Sequence, residues 1–177
     1  MLHKTVIGAA AILLTFPQVA LAAEPPCLTA QEATAMAAYA MPSVITGTTQ
    51  RCSASLGKES WIARNGDQMA QRYSANKAGA WPGAKAALLK LSGSSNDQML
   101  SMMKALPDNT LQELADTLVS GSVSEQIQTS RCGVIDRFMA LISPLPPENT
   151  TELIALTLGI LSQGEKPKLG KLAVCKA

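Results

Sequence analysis

Four cysteines, Cys27, Cys52, Cys132 and Cys175, constrain this chain more than any other feature, because two cross-links among them would restrict every segment between. Whether they pair depends on the compartment, and the N-terminus bears on that. Lys4 precedes an apolar run from Val6 to Phe16, Pro17 breaks it, and Ala20-Leu21-Ala22 is a small-x-small triplet of the kind a signal peptidase accepts. Residues 1–22 (or 1–23) read as a cleaved secretory signal and 23–177 as a single domain. The run is shorter than the roughly 20 apolar residues that span a bilayer. No later stretch reads as a membrane span, and Glu24-Pro25-Pro26 is not the small-residue context of a lipid-modified cysteine. In a periplasmic or secreted chain, an even cysteine count argues for two disulfides, and no Cys-x-x-Cys redox motif is present. Three connectivities are open. Cys27–Cys52 and Cys132–Cys175 are expected, because each closes one helical hairpin or its tail.

The apolar residues recur at helical spacing, and no segment reads as a strand. Thr29-Ala30-Gln31-Glu32 is a capping box that opens a first helix, expected to stop at Met41 before Pro42. A second helix is expected from Pro42, with Ile45, Cys52 and Leu56 on one face. A third spans about Ser60 to Ser74, weakened in its middle by Asn65-Gly66. Trp81, Ala84, Leu88 and Leu91 trace a fourth, stopped by Ser92-Gly93.

The second half then repeats. Asp97 to Pro107 aligns with Asp136 to Pro146 at an offset of 39, apolar position on apolar position. Thr110-x-x-Glu113 and Asn149-x-x-Glu152 follow as matching capping boxes. Two copies fall short of a solenoid. The expected fold is therefore an all-α compact bundle of about six or seven short helices with two disulfides, its second half built from two similar helical hairpins. A tail over 164–177, carrying Lys166, Lys168, Lys171 and Lys176, reads as non-helical and restrained by Cys175.

Composition removes whole classes of function. The only histidine, His3, lies within the signal, so the mature chain has no Ser-His or Cys-His pair and no imidazole metal ligand. Without Lys4 the basic residues exceed the acidic by one, too little for the field that attracts nucleic acid or anionic membrane. The mature aromatics (Tyr39, Trp61, Tyr73, Trp81 and Phe138) are too scattered to form a base-stacking platform.

The remaining candidates are few. Met99, Met102 and Met103 sit at i, i+3 and i+4 and share a face that could hold Cu(I). The repeat places Phe138, Leu141 and Ile142 at the same positions, so the methionines are read as core packing, with no metal or cofactor expected. Glu59-Ser60 is similar, over two residues, to the Glu-Ser at the catalytic acid of lytic transglycosylases. The glycine- and glutamine-bearing segments that follow in that family are absent, and Lys58 favours the ionised form. Glu59 and Asp67 are thus the candidate acids should the chain be an enzyme using carboxylates only. Arg64 and Arg72 are close in azimuth on one helix and could clamp a carboxylate-bearing ligand. Asn149-Thr150-Thr151 matches a glycosylation acceptor but is read as a helix cap. By elimination, the expected function is non-catalytic binding in the bacterial envelope, of a protein partner or an apolar small molecule. A carboxylate enzyme acting on cell-wall material and an inhibitor or immunity-type protein are the alternatives.

Overall fold

A computed structural model of the chain describes residues 27–93, 96–162 and 174–175. The expected secretory signal and most of the lysine-bearing tail lie outside these residues. Among the described residues there are seven α-helices and one 3-10 turn, with no strand beyond an isolated bridge between Leu28 and Val174. The helices are α1 (Ala30–Leu56), α2 (Trp61–Ser74), α3 (Lys77–Gly93), α4 (Asp97–Ala105), α5 (Asp108–Gln126), α6 (Cys132–Ile142) and α7 (Pro147–Ser162).

The whole bundle is organised around α1. Its start is the expected capping box: Glu32 N–H donates to Thr29 Oγ1 at 3.1 Å, and Thr29 N–H donates to Glu32 Oε2 at 2.7 Å. Between Glu32 and Arg51 it carries no charged residue, so no azimuth obliges it to face water. Tyr39, Met41, Pro42, Ser43, Ile45, Gly47 and Thr48 are all buried. The expected break at Pro42 is corrected: the helix runs unbroken through it. Proline in a helix interior costs about 3 kcal/mol, but burial against neighbours on several sides outweighs a local preference. Pro82 is likewise inside α3.

Small residues let the surrounding helices come close. A Cβ on Gly47 would overlap the Ser120 carbonyl of α5, and one on Gly66 would overlap Thr49, where α2 crosses α1. Asn65-Gly66, which reads as a weak point in the sequence, is therefore a contact point. Polar ties then fix the neighbours. Asp116 on α5 accepts from Ser43 Oγ at 3.0 Å and pairs with Lys77. Asp108 accepts from Trp81 Nε1 at 3.0 Å and pairs with Lys85, and Lys90 reaches Glu32 at 2.9 Å. The Tyr39 and Trp81 rings meet at 4.9 Å.

The disulfide pairing is also corrected. Cys27 joins Cys175 and Cys52 joins Cys132, with Cα separations of 4.9 and 5.2 Å. The expectation rested on loops closed by neighbouring helices, whereas a central α1 brings distant segments to its two ends. The Cys175 N–H donates to Leu28 O at 2.8 Å, so Cys175 is fastened to the N-terminal entry of α1, while Val174 packs beside Ala155 of α7.

The repeat persists in three dimensions. α5 begins at Asp108 and α7 at Pro147, the same offset as the sequence match. The two later capping boxes do not form, because both helices start three residues earlier than those boxes require. Thr150 and Thr151 are instead buried and bond back to Pro146 O and Glu148 O.

Candidate functional site

Two stripes of identical spacing face each other across the molecule. On α1, Met41, Val44, Ile45 and Thr48 occupy i, i+3, i+4 and i+7, while Tyr39, Ser43 and Gly47 on another face meet α5. On α6, Ile135, Phe138, Met139 and Ile142 follow the same rule. With Met69 of α2 and with Val123 and Ile127 at the end of α5, they line an open cleft of about 300 Å³. Such a volume lies at the small end of ordinary ligand pockets. Thr48 is the only polar side chain in the lining, and its hydroxyl is engaged by donation to Val44 O at 2.7 Å. Nothing there asks for water. Three flexible thioethers, Met41, Met69 and Met139, line it and can repack around an irregular guest. The cleft stays open because Cys52–Cys132 ties α6 to the C-terminal end of α1, while Asp136 accepts the Ile62 N–H of α2 at 2.7 Å. The hold on α6 is thus on one side, and Phe138 at the lip is 59% exposed.

A second cleft, of about 400 Å³, mixes polar side chains with apolar surface. Trp61, Asn65, Gln68 and Arg72 lie along one face of α2, with Gln71 beside them, Met69 beneath and Ser143 at the end of α6 opposite. The Arg72 guanidinium donates to Ser143 O at 2.6 Å. A third cleft, of about 450 Å³, lies between α1, α3 and α7 and is lined by Tyr73, Asn76, Glu148 and Glu152 among others. Asn76 donates to Glu148, whose carboxyl is held below the usual range by its own backbone N–H and by Asn76.

The residues singled out from sequence are distributed unevenly over this surface. The Glu59 carboxylate is 94% exposed and pairs with Arg64 at 3.5 Å, and Asp67 is exposed. Neither lines any of the three clefts. Arg64 and Arg72 do not converge, since one turns to Glu59 and the other to Ser143. The reading of the methionine cluster as core is corrected: Met99 is 52% and Met102 63% exposed, and only Met103 packs inward, beside Tyr39, Trp81 and Leu111. Phe138 and Leu141 are exposed in the same way, so the repeat does equate these positions, but as outward-facing ones. More widely, every large apolar side chain that is well exposed among the described residues lies between Met99 and Leu161.

The sequence points to Ile45 as part of a helix face and to Phe138 and Ile142 as core packing, and to none of the cleft residues as a site. The signal for the cleft is the pair of i, i+3, i+4, i+7 stripes, and each stripe by itself reads as core. No protein-family model, curated protein or solved structure matches the chain.

Proposed function

We propose that the protein is a non-catalytic binding protein whose apolar cleft between α1, α5 and α6 takes an apolar small molecule or acyl chain. One observation carries this reading: a concave, open site of about 300 Å³ with a wholly apolar lining apart from one internally bonded threonine. A cleft of that kind rejects ions and polyols, and it gains by removing hydrocarbon from water at about 25 cal/mol per Å². Residence in the periplasm or outside the cell belongs to the same proposal. It is supported by the signal-like N-terminus and by two disulfides, which persist in oxidising compartments. An enzyme using Glu59 or Asp67 has less support, because neither carboxylate sits where a substrate could be enclosed.

The test uses the processed, oxidised chain with the dye N-phenyl-1-naphthylamine as reporter and dodecanoate as competitor. Saturable fluorescence displaced by dodecanoate is expected, weakened about tenfold by Phe138→Ser at the lip, as loss of one good apolar contact implies. Leu153→Ser, an equally exposed apolar position on α7 outside the cleft, is the control and leaves binding intact. Absence of saturable binding, or an equal loss from Leu153→Ser, removes the proposal.

A second reading has its own support. The outward apolar residues of α4 to α7 suit a protein partner, whether a target to be inhibited or a second copy. Sedimentation of the purified chain tests the second copy directly: a monomer across the accessible concentration range excludes it.

A further inference from the structure

We infer that the cleft along α2 is a saccharide-binding site, distinct from the apolar cleft although Met69 lies in the wall of both. The argument begins with spacing. Trp61, Asn65, Gln68 and Arg72 fall at i, i+4, i+7 and i+11, so four side chains share one face over three turns of helix. A run of polar residues on a helix face is usually a convex, solvated surface. Here the face is one wall of a concavity of about 400 Å³, closed opposite by Ser143 at the end of α6.

The unused hydrogen-bonding capacity is chemically specific. Asn65 Nδ2 donates to Trp61 O at 2.9 Å, which leaves its Oδ1 as an acceptor pointing the side chain's amide back along the helix. The Gln68 and Gln71 side-chain amides have no hydrogen-bond partner among the described residues and each is exposed, so each offers both a donor and an acceptor. Arg72 spends one N–H on Ser143 O and retains further donors in its planar fork. Among the described residues no carboxylate lines the cleft, which therefore offers a cation no charged ligand there. A set of amides that donate and accept together, with one guanidinium, matches hydroxyl groups, which also do both.

Trp61 supplies the complement. It is the only aromatic residue in the lining and is half-buried, packed on the core yet still open to the cleft. Its indole carries a negative π-face, against which the weakly positive C–H bonds on one side of a sugar ring can lie. A ligand that is apolar on one face and hydroxylated at its edge fits both halves of this lining. The guanidinium further favours a saccharide bearing a carboxylate or an N-acyl carbonyl over an unsubstituted one.

The experiment follows backbone amide shifts of the oxidised processed chain on titration with the β-1,4-linked N-acetylglucosamine tetramer, and separately with maltotetraose. Saturable shifts confined to α2 and Ser143 are expected with the first. Gln68→Ala and Arg72→Ala should each weaken binding by about tenfold, the size expected for one lost hydrogen bond in a site. Gln68 and Arg72 are exposed, so neither change threatens the fold. In a Trp81→Phe background Trp61 is the sole indole, and its fluorescence should report the same dissociation constant. Naphthylamine binding in the apolar cleft should be unchanged in both variants. If neither oligosaccharide gives saturable shifts up to about 10 mM, or if the shifts map to another surface, the inference is overturned.

Discussion

At the scale of single residues, two buried side-chain hydroxyls among the described residues, those of Thr49 and Tyr73, have no hydrogen-bond partner, and Tyr73 is the more deeply buried residue. Tyr73 is 1% exposed, and its hydroxyl is buried without a hydrogen-bond partner. A buried donor left unmade costs about 1–3 kcal/mol, so Tyr73→Phe should raise the unfolding free energy by about 1 kcal/mol, read by urea titration. A loss of stability instead would mean that the hydroxyl serves a contact not made within this chain. Tyr39 shows the opposite use of the same side chain: its hydroxyl donates to Gln112 O at 3.3 Å, and burial together with the Asp116 charge pushes its ionisation well above the ordinary value. Glu32 is a third case. The Thr29 backbone N–H and then Lys90 hold its carboxyl below the ordinary 4.5. A group depressed in the folded state contributes in full above its unfolded pKa and loses that contribution as the pH falls through the folded one. Stability should therefore decline below about pH 4.5, and Glu32→Gln should blunt the decline between neutral and acidic urea titrations.

Elements meet through surfaces that sequence periodicity describes only in part. Gly47 and Gly121 are both glycines in helices, yet their environments differ completely. A Cβ at Gly47 would strike the Ser120 backbone, whereas Gly121 has open space around it. Gly47→Ala should thus destabilise by about 2 kcal/mol through a forced separation of α1 and α5. Gly121→Ala should stabilise by roughly 0.5–1 kcal/mol through helix propensity. Paired thermal melts of the two variants check both signs together. If Gly47→Ala were neutral, the close crossing of α1 and α5 would be wrong. The stripes at Met41, Val44, Ile45 and Thr48 and at Ile135, Phe138, Met139 and Ile142 are equally regular, and each read by itself looks like core. They become a cleft only because α6 is drawn to the end of α1 and does not close down along it.

Across the whole molecule, the two disulfides act on different things. Cys52 and Cys132 are fully buried and closed over 80 residues, whereas Cys27 and Cys175 are half-buried at the chain's ends. Thiolate exchange needs access to sulfur. Mild reductant on the native protein should consequently open Cys27–Cys175 first and leave the helical content unchanged, as seen by mass after alkylation beside circular dichroism. Replacing Cys52 and Cys132 together with alanine should lower stability by about 4.5 kcal/mol, in keeping with a loop of that size. Simultaneous loss of both bridges under mild reductant would show that α6 opens far more readily than its packing implies.

Periodicity, capping residues and the cysteine count determined the helical class, most helix positions and the internal repeat, since these depend on neighbours three and four residues apart. The uncharged stretch from Ala33 to Gln50 carries the signal of a helix buried on many sides, but the break expected at Pro42 hides it. Tertiary structure decided the cysteine partners, the passage through Pro42, the outward turn of Met99 and Met102, and the existence of both clefts. Each of these depends on which face of one helix another helix covers. An apolar stripe looks the same whether its partner closes over it or stops short, so the sites lie where packing around α1 is incomplete, which no local spacing records.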